Sequence, residues 1–167
     1  MTLERAFEAA LAMDDATWRR HANPWSAWTR ATVLPLVVVA VWSRVWLGLW
    51  SLIPVGIAIL WMWLNPRVFA APHSTDNWAS RGVLGERVWL NRKKVPVPRH
   101  HRVAPHILNA ITALGTAFVI WGLVRLAFWP TLLGAALIFC GKLWFLDRMA
   151  WLFRDMQDHA EYRAWLY

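Results

Sequence analysis

Residues 32–64 read TVLPLVVVAVWSRVWLGLWSLIPVGIAILWMWL, and this stretch decides the fold. Its one charged residue is Arg44, set between Ser43 and Gly48. Taken with the largely apolar 25–31 before it, the run is about forty residues long. As one straight helix it would reach roughly 60 Å, about twice the thickness of a bilayer's hydrocarbon core. It must therefore fold back, and Ser43-Arg44 with Gly48 offers the break. The expected elements are a helix over 25–45, a second over 48–64, and a stop at Asn65-Pro66. Pro35 and Pro54 fall inside these helices, which membrane helices tolerate when neighbours satisfy the freed carbonyl.

A second apolar block covers 107–141. It predicts a third helix over 104–127, with Pro105 in its first turn, and a fourth over 130–146 that runs into a polar helical extension at 147–165. Ahead of both blocks, 3–21 has the pattern of an amphipathic helix, with Leu3, Phe7, Leu11 and Trp18 on one face. Such a helix is expected to lie in the membrane interface or against the cytoplasmic loops. Asn23-Pro24 then starts the next helix, Asn as cap and Pro at the first helical position.

Composition agrees. Apolar residues make up 58% of the 167 and charged residues 17%, against about 25% charged in soluble domains. The charges are nearly absent from the two blocks, which excludes an ordinary soluble domain. The expected fold class is all-α: an integral membrane four-helix bundle of two helical hairpins, with the interfacial helix in front and the extension behind. The lone Cys140 rules out an intrachain disulfide framework or a thiolate metal site.

Tryptophan placement fits this layout. Indoles favour the water–lipid boundary. Trp42, Trp46, Trp50, Trp121 and Trp129 fall at the hairpin turns, and Trp25, Trp28, Trp63 and Trp144 at the opposite ends. The steps from Trp28 to Trp42 and from Trp129 to Trp144 each span about 21–23 Å at helical rise. The Trp42–Trp50 and Trp121–Trp129 spacings match, as distant copies of one hairpin would.

The net charge of +8 sets orientation. Each hairpin tip carries one basic residue, Arg44 or Arg125, whereas segment 65–103 carries Arg67, Arg81, Arg87, Arg92, Lys93, Lys94, Arg99 and Arg102. Both termini and this segment are therefore expected on the cytoplasmic side of the inner membrane. The same argument accounts for the basic balance without nucleic acid, which is not expected as a partner.

Two candidate chemistries follow. The patch Arg92, Lys93, Lys94, Arg99, His100, His101 and Arg102 holds its cations on a proline-stiffened segment, and each attracts anionic lipid by roughly 1 kcal/mol near a membrane surface. Anionic lipid, a membrane-protein partner or a second copy of the chain are its candidate partners. Alternatively, His21, His73, His100, His101 and His106, with Glu86 or Asp76, could ligate Fe or Zn for chemistry on an apolar substrate at the cytoplasmic boundary. Lys142 and Asp147 are the polar residues nearest the membrane interior, Lys142 within reach of the interface by snorkelling. No Walker loop, dinucleotide fingerprint, HExxH or CxxC occurs.

Four segments carry a resemblance: His21-Ala-Asn-Pro-Trp-Ser-Ala-Trp-Thr-Arg30, Asn65-Pro66, Gly85-Glu-Arg-Val-Trp89 and Lys142-Leu-Trp-Phe-Leu-Asp-Arg148. Through them the chain resembles a family of small tryptophan-rich prokaryotic polytopic membrane proteins of unassigned function. The resemblance implies a polytopic membrane protein and brings no activity with it.

Overall fold

A computed structural model describes residues 14–167. The described residues form helices and turns, without strands. Eight α-helices are labelled here in chain order: α1 Asp15–His21, α2 Pro24–Ala31, α3 Val33–Trp42, α4 Arg44–Leu47, α5 Leu52–Val68, α6 Trp78–Leu90, α7 Ala104–Arg125 and α8 Phe128–Met156. Three helical stretches are long and apolar enough to cross a membrane: Pro24–Val68, Arg99–Arg125 and Phe128–Met156.

The first stretch folds back on itself. Gly48 sits at φ 54° and ψ −129°, a backbone state that side chains with a Cβ rarely adopt. A short 3-10 turn, Gly48–Ser51, then leads into α5. The reversal brings Ser26 and Asn65 into hydrogen-bond contact across 39 positions of sequence. The arms differ in detail from the expected 25–45 and 48–64. Helix breaks at Thr32 because Pro35 has no N–H for the Ala31 carbonyl and its ring crowds that oxygen. Pro54 is harmless, falling in the first turn of α5, where the N–H has no helical partner in any case. At the other end Asn65-Pro66 does not stop the helix, which runs to Val68. There the Arg67 guanidinium folds back and donates to the Trp63 carbonyl.

Helices α7 and α8 form a second, tighter hairpin. Leu126 takes the left-handed conformation that caps α7, and α8 starts two residues later. A Cβ on Gly134 would lie 2.6 Å from the Gly115 carbonyl oxygen, and one on Gly115 would lie 2.7 Å from the Gly134 carbonyl. The backbones therefore touch along this seam, the close packing that small residues permit between membrane helices. The expected C-terminal extension is one piece with the helix before it: α8 continues unbroken for 29 residues, about 43 Å at helical rise and longer than a bilayer's hydrocarbon core.

The buried core lies at that protruding end. Val83, Val88 and Trp89 of α6 pack with Met149, Leu152 and Phe153 of α8, joined by Trp18, Val97 and Tyr162. Gly85 fits against the backbone of Met149 so closely that a Cβ would fall 1.8 Å from its carbonyl oxygen. Asn77 caps α6, its side chain accepting from the Ser80 N–H at 2.9 Å. Past Met156 the chain turns back rather than continuing as helix to 165. Its last residues bond to the segment before α6, with the Thr75 N–H donating to the Tyr167 carbonyl at 2.7 Å.

Of the amphipathic helix expected over 3–21, residues 3–13 lie outside the described part. Of the rest, Asp15–His21 is helical, capped by Asp14, which accepts from the Thr17 N–H at 2.7 Å. Trp18 is buried in the core just described, so this portion packs on protein. The apolar faces of the long helices are instead open: Val39, Ile57, Val124 and Trp129 are all exposed.

Candidate functional site

Two clusters of polar side chains at the core end of the long helices gather histidine candidates. The first is built where α1, α2 and α5 meet. Asn65 is fully buried; its amide donates to Thr29 Oγ1 at 2.8 Å and its carbonyl accepts from Ser26 Oγ at 2.9 Å. Asn23 reaches the Ala70 carbonyl at 2.9 Å, tying the start of α2 to the end of α5. His21 is buried beside Ser26, and Arg30 lies against both of its ring nitrogens. Burial, with the Arg30 and Lys142 charges near it, holds the His21 imidazole well below its ordinary value, so the ring is neutral at physiological pH. Glu86 on α6 faces Arg30 electrostatically. The four segments that carry the resemblance thus meet here, through His21 to Arg30, Asn65, Glu86 and Lys142.

The second place is the strand-like loop and 3-10 turn, Arg99–His101, ahead of α7. Val97 is buried, which draws the loop onto the core. His101 is 1% exposed and His100 is exposed, yet both turn their Nε2 atoms onto Asp155 Oδ2, at 2.8 and 3.0 Å. Trp151, one turn earlier on α8, packs edge-on to the His101 ring at 5.3 Å and tilted to the His100 ring at 5.7 Å. The Arg148 guanidinium covers Trp151 at 4.3 Å. His101 Nδ1 is buried without a hydrogen-bond partner.

Around this cluster lie the cations of the basic patch. Lys93, Lys94, Arg99 and Arg102 are exposed. Arg102 donates twice to the Val97 carbonyl, at 3.2 and 3.1 Å, and so holds the loop closed. Arg92 lies over the Trp89 ring at 4.3 Å and donates to the Trp89 carbonyl at 2.8 Å.

The structure separates the other candidate ligands. His21 belongs to the first cluster. His73 is exposed, and Asp76 pairs with Arg81. His106 is exposed with its ring 5.5 Å from Trp89, and Glu86 faces Arg30. Lys142 is exposed, its Nζ 5.1 Å from the Phe145 ring. Asp147 is also exposed and accepts from the Trp78 indole N–H at 2.9 Å. Asp155 was not among the candidates; one acid in a tail of mixed charge carries no mark, and only folding sets it opposite the histidine pair.

A family model described as "Family of unknown function (DUF6653)" matches residues 2–165. The chain belongs to this family. DUF6653 carries no assigned activity, which agrees with the resemblance read from the four segments. No curated protein and no solved structure matches the chain.

Proposed function

We propose that this DUF6653 member crosses the cytoplasmic membrane four times and uses its basic cytoplasmic face to hold anionic lipid headgroups. The observation that carries the reading is the position of the patch. Lys93, Lys94, Arg99 and Arg102 stand exposed beside the first turn of α7, where an apolar, outward-facing helix meets the buried core. Segment 91–103 contains no acid. Four exposed cations at a membrane surface attract anionic lipid by roughly 4 kcal/mol in all, at roughly 1 kcal/mol each.

Lengths support the four crossings. Residues 24–42 reach about 28 Å and α5 about 26 Å at helical rise, each close to the hydrocarbon thickness. With the core end on the cytoplasmic side, the termini, α6 and the patch share that side.

Native mass spectrometry from nanodiscs tests the proposal. In mixed phosphatidylglycerol and phosphatidylcholine discs, the wild-type chain should retain phosphatidylglycerol through gas-phase release. The triple variant Lys93→Gln, Lys94→Gln, Arg99→Gln should lose most of it. Equal retention by the variant, or no anionic preference in the wild type, would overturn headgroup binding. A retained protein or a second copy of the chain would assign the face to protein instead.

A further inference from the structure

We propose that His100, His101 and Asp155 form a binding site for a divalent transition-metal ion. The imidazoles come from the turn before α7 and the carboxylate from the last turn of α8. The two Nε2 atoms lie 3.0 and 2.8 Å from the same carboxylate oxygen, and the three ligand atoms all fall within 4.8 Å of one another. An ion bound at about 2.1 Å separates neighbouring donors by about 3.0 Å at right angles and about 3.4 Å at tetrahedral angles. The two nitrogen–oxygen spacings lie close to this range, and with all three donors inside 4.8 Å an ion needs only to draw the two rings toward the shared carboxylate oxygen.

The rings are set before any ion arrives. Trp151 braces both of them, Arg148 braces Trp151, and the buried His101 cannot swing out without opening the core. Such preorganisation lowers the ordering cost of binding. Two imidazoles with one carboxylate suit a first-row transition ion such as Zn²⁺ or Fe²⁺; Ca²⁺ and Mg²⁺ favour all-oxygen surroundings. Three protein donors leave coordination positions open, on the side where the His100 side chain is 55% exposed. The nearby arginines oppose a cation, so binding is expected to be weaker than at a closed structural zinc site. The site is independent of headgroup binding: the exposed lysines and arginines attract anions, whereas this triad takes a cation.

The test uses the full chain, free of any polyhistidine tag, in detergent after chelator dialysis. Zn²⁺ is titrated calorimetrically, and Co²⁺ is followed by its visible absorption. One equivalent should bind with Kd below about 100 µM, tighter by at least about tenfold than the millimolar contact of a lone surface imidazole. Asp155→Asn keeps the side chain's shape and a hydrogen-bond acceptor; it and His100→Gln should each weaken binding at least about tenfold and bleach the Co²⁺ bands. The double variant His73→Gln, His106→Gln should bind as the wild type does. Circular dichroism and gel-filtration profiles check that each variant is folded. Absence of a saturable site in the folded wild type, a Kd above about 100 µM, or wild-type affinity in Asp155→Asn and His100→Gln would overturn the proposal.

Discussion

The two hairpins are held together by different forces. In α7–α8 the backbones touch at Gly115 and Gly134, and Gly122 meets Thr131 just as closely. Gly56 of α5 takes no part in such a seam: a Cβ on it would meet nothing within 4 Å. Polar bonds close the first hairpin instead, Ser26 and Thr29 to Asn65 at the core end. At the far end Arg44 donates to the Leu123 and Val124 carbonyls, tying one hairpin tip to the other. Apolar grooves of about 480 and 670 Å³ flank α3 on its two sides. The outer turns repeat the contrast, for the matching tryptophan spacing covers a short helix and 3-10 turn in one and a single left-handed residue in the other. The second hairpin is complete in itself, while the first leans on a few directional bonds and on whatever fills its grooves.

The difference is broken most directly at Gly134. Gly134→Ala puts a methyl 2.6 Å from both the Gly115 carbonyl oxygen and the Val119 nitrogen. Backbone cannot give way as a side chain can, so the helices must separate, at a cost of about 2–3 kcal/mol. Thermal unfolding in detergent, read by tryptophan fluorescence, should show a midpoint lowered by roughly 5–10 °C. A shift under about 2 °C would mean that the seam is not close-packed.

A smaller loss is expected at Asn65. Asn65→Leu keeps the volume but removes both bonds, leaving Ser26 Oγ without its acceptor and Thr29 Oγ1 without one donor. Hydrogen bonds between membrane helices contribute about 0.6 kcal/mol on average, and stranding a buried hydroxyl adds to that, so about 1–2 kcal/mol is expected. Ser26→Ala in the Asn65→Leu background should recover part of it, because the stranded hydroxyl is then gone. Without any recovery, the first hairpin does not depend on this bond.

What could be read from the chain beforehand follows the same division. Hydropathy and length showed the apolar blocks, and Gly48 marked the first reversal, because both signals are local. The α6–α8 contact was invisible: nothing local marks Gly85 as the place where the α6 backbone meets that of Met149. Asn65-Pro66 read as a stop because the contact that holds Asn65 in the helix, Ser26 across the hairpin, forms only after folding. His100 and His101 were visible as possible ligands, and Asp155 was not, since its partnership spans more than fifty residues and two elements.

The smallest effect should also have the opposite sign. Gly56 lies inside α5 with open space where its side chain would be. Alanine there meets no neighbour and is a better helix former than glycine, by up to about 1 kcal/mol in water. Part of that gain comes from restricting the unfolded chain, so it needs no new contact. Gly56→Ala should therefore leave the melting midpoint unchanged or raise it by a few degrees, against the clear fall for Gly134→Ala. The same chemical change would then report opposite signs on two helices of one molecule, as a backbone seam in one hairpin and a lipid-facing gap in the other require. A fall of similar size at both glycines would show that Gly56 is packed as closely as Gly134, and the contrast between the two glycines would disappear.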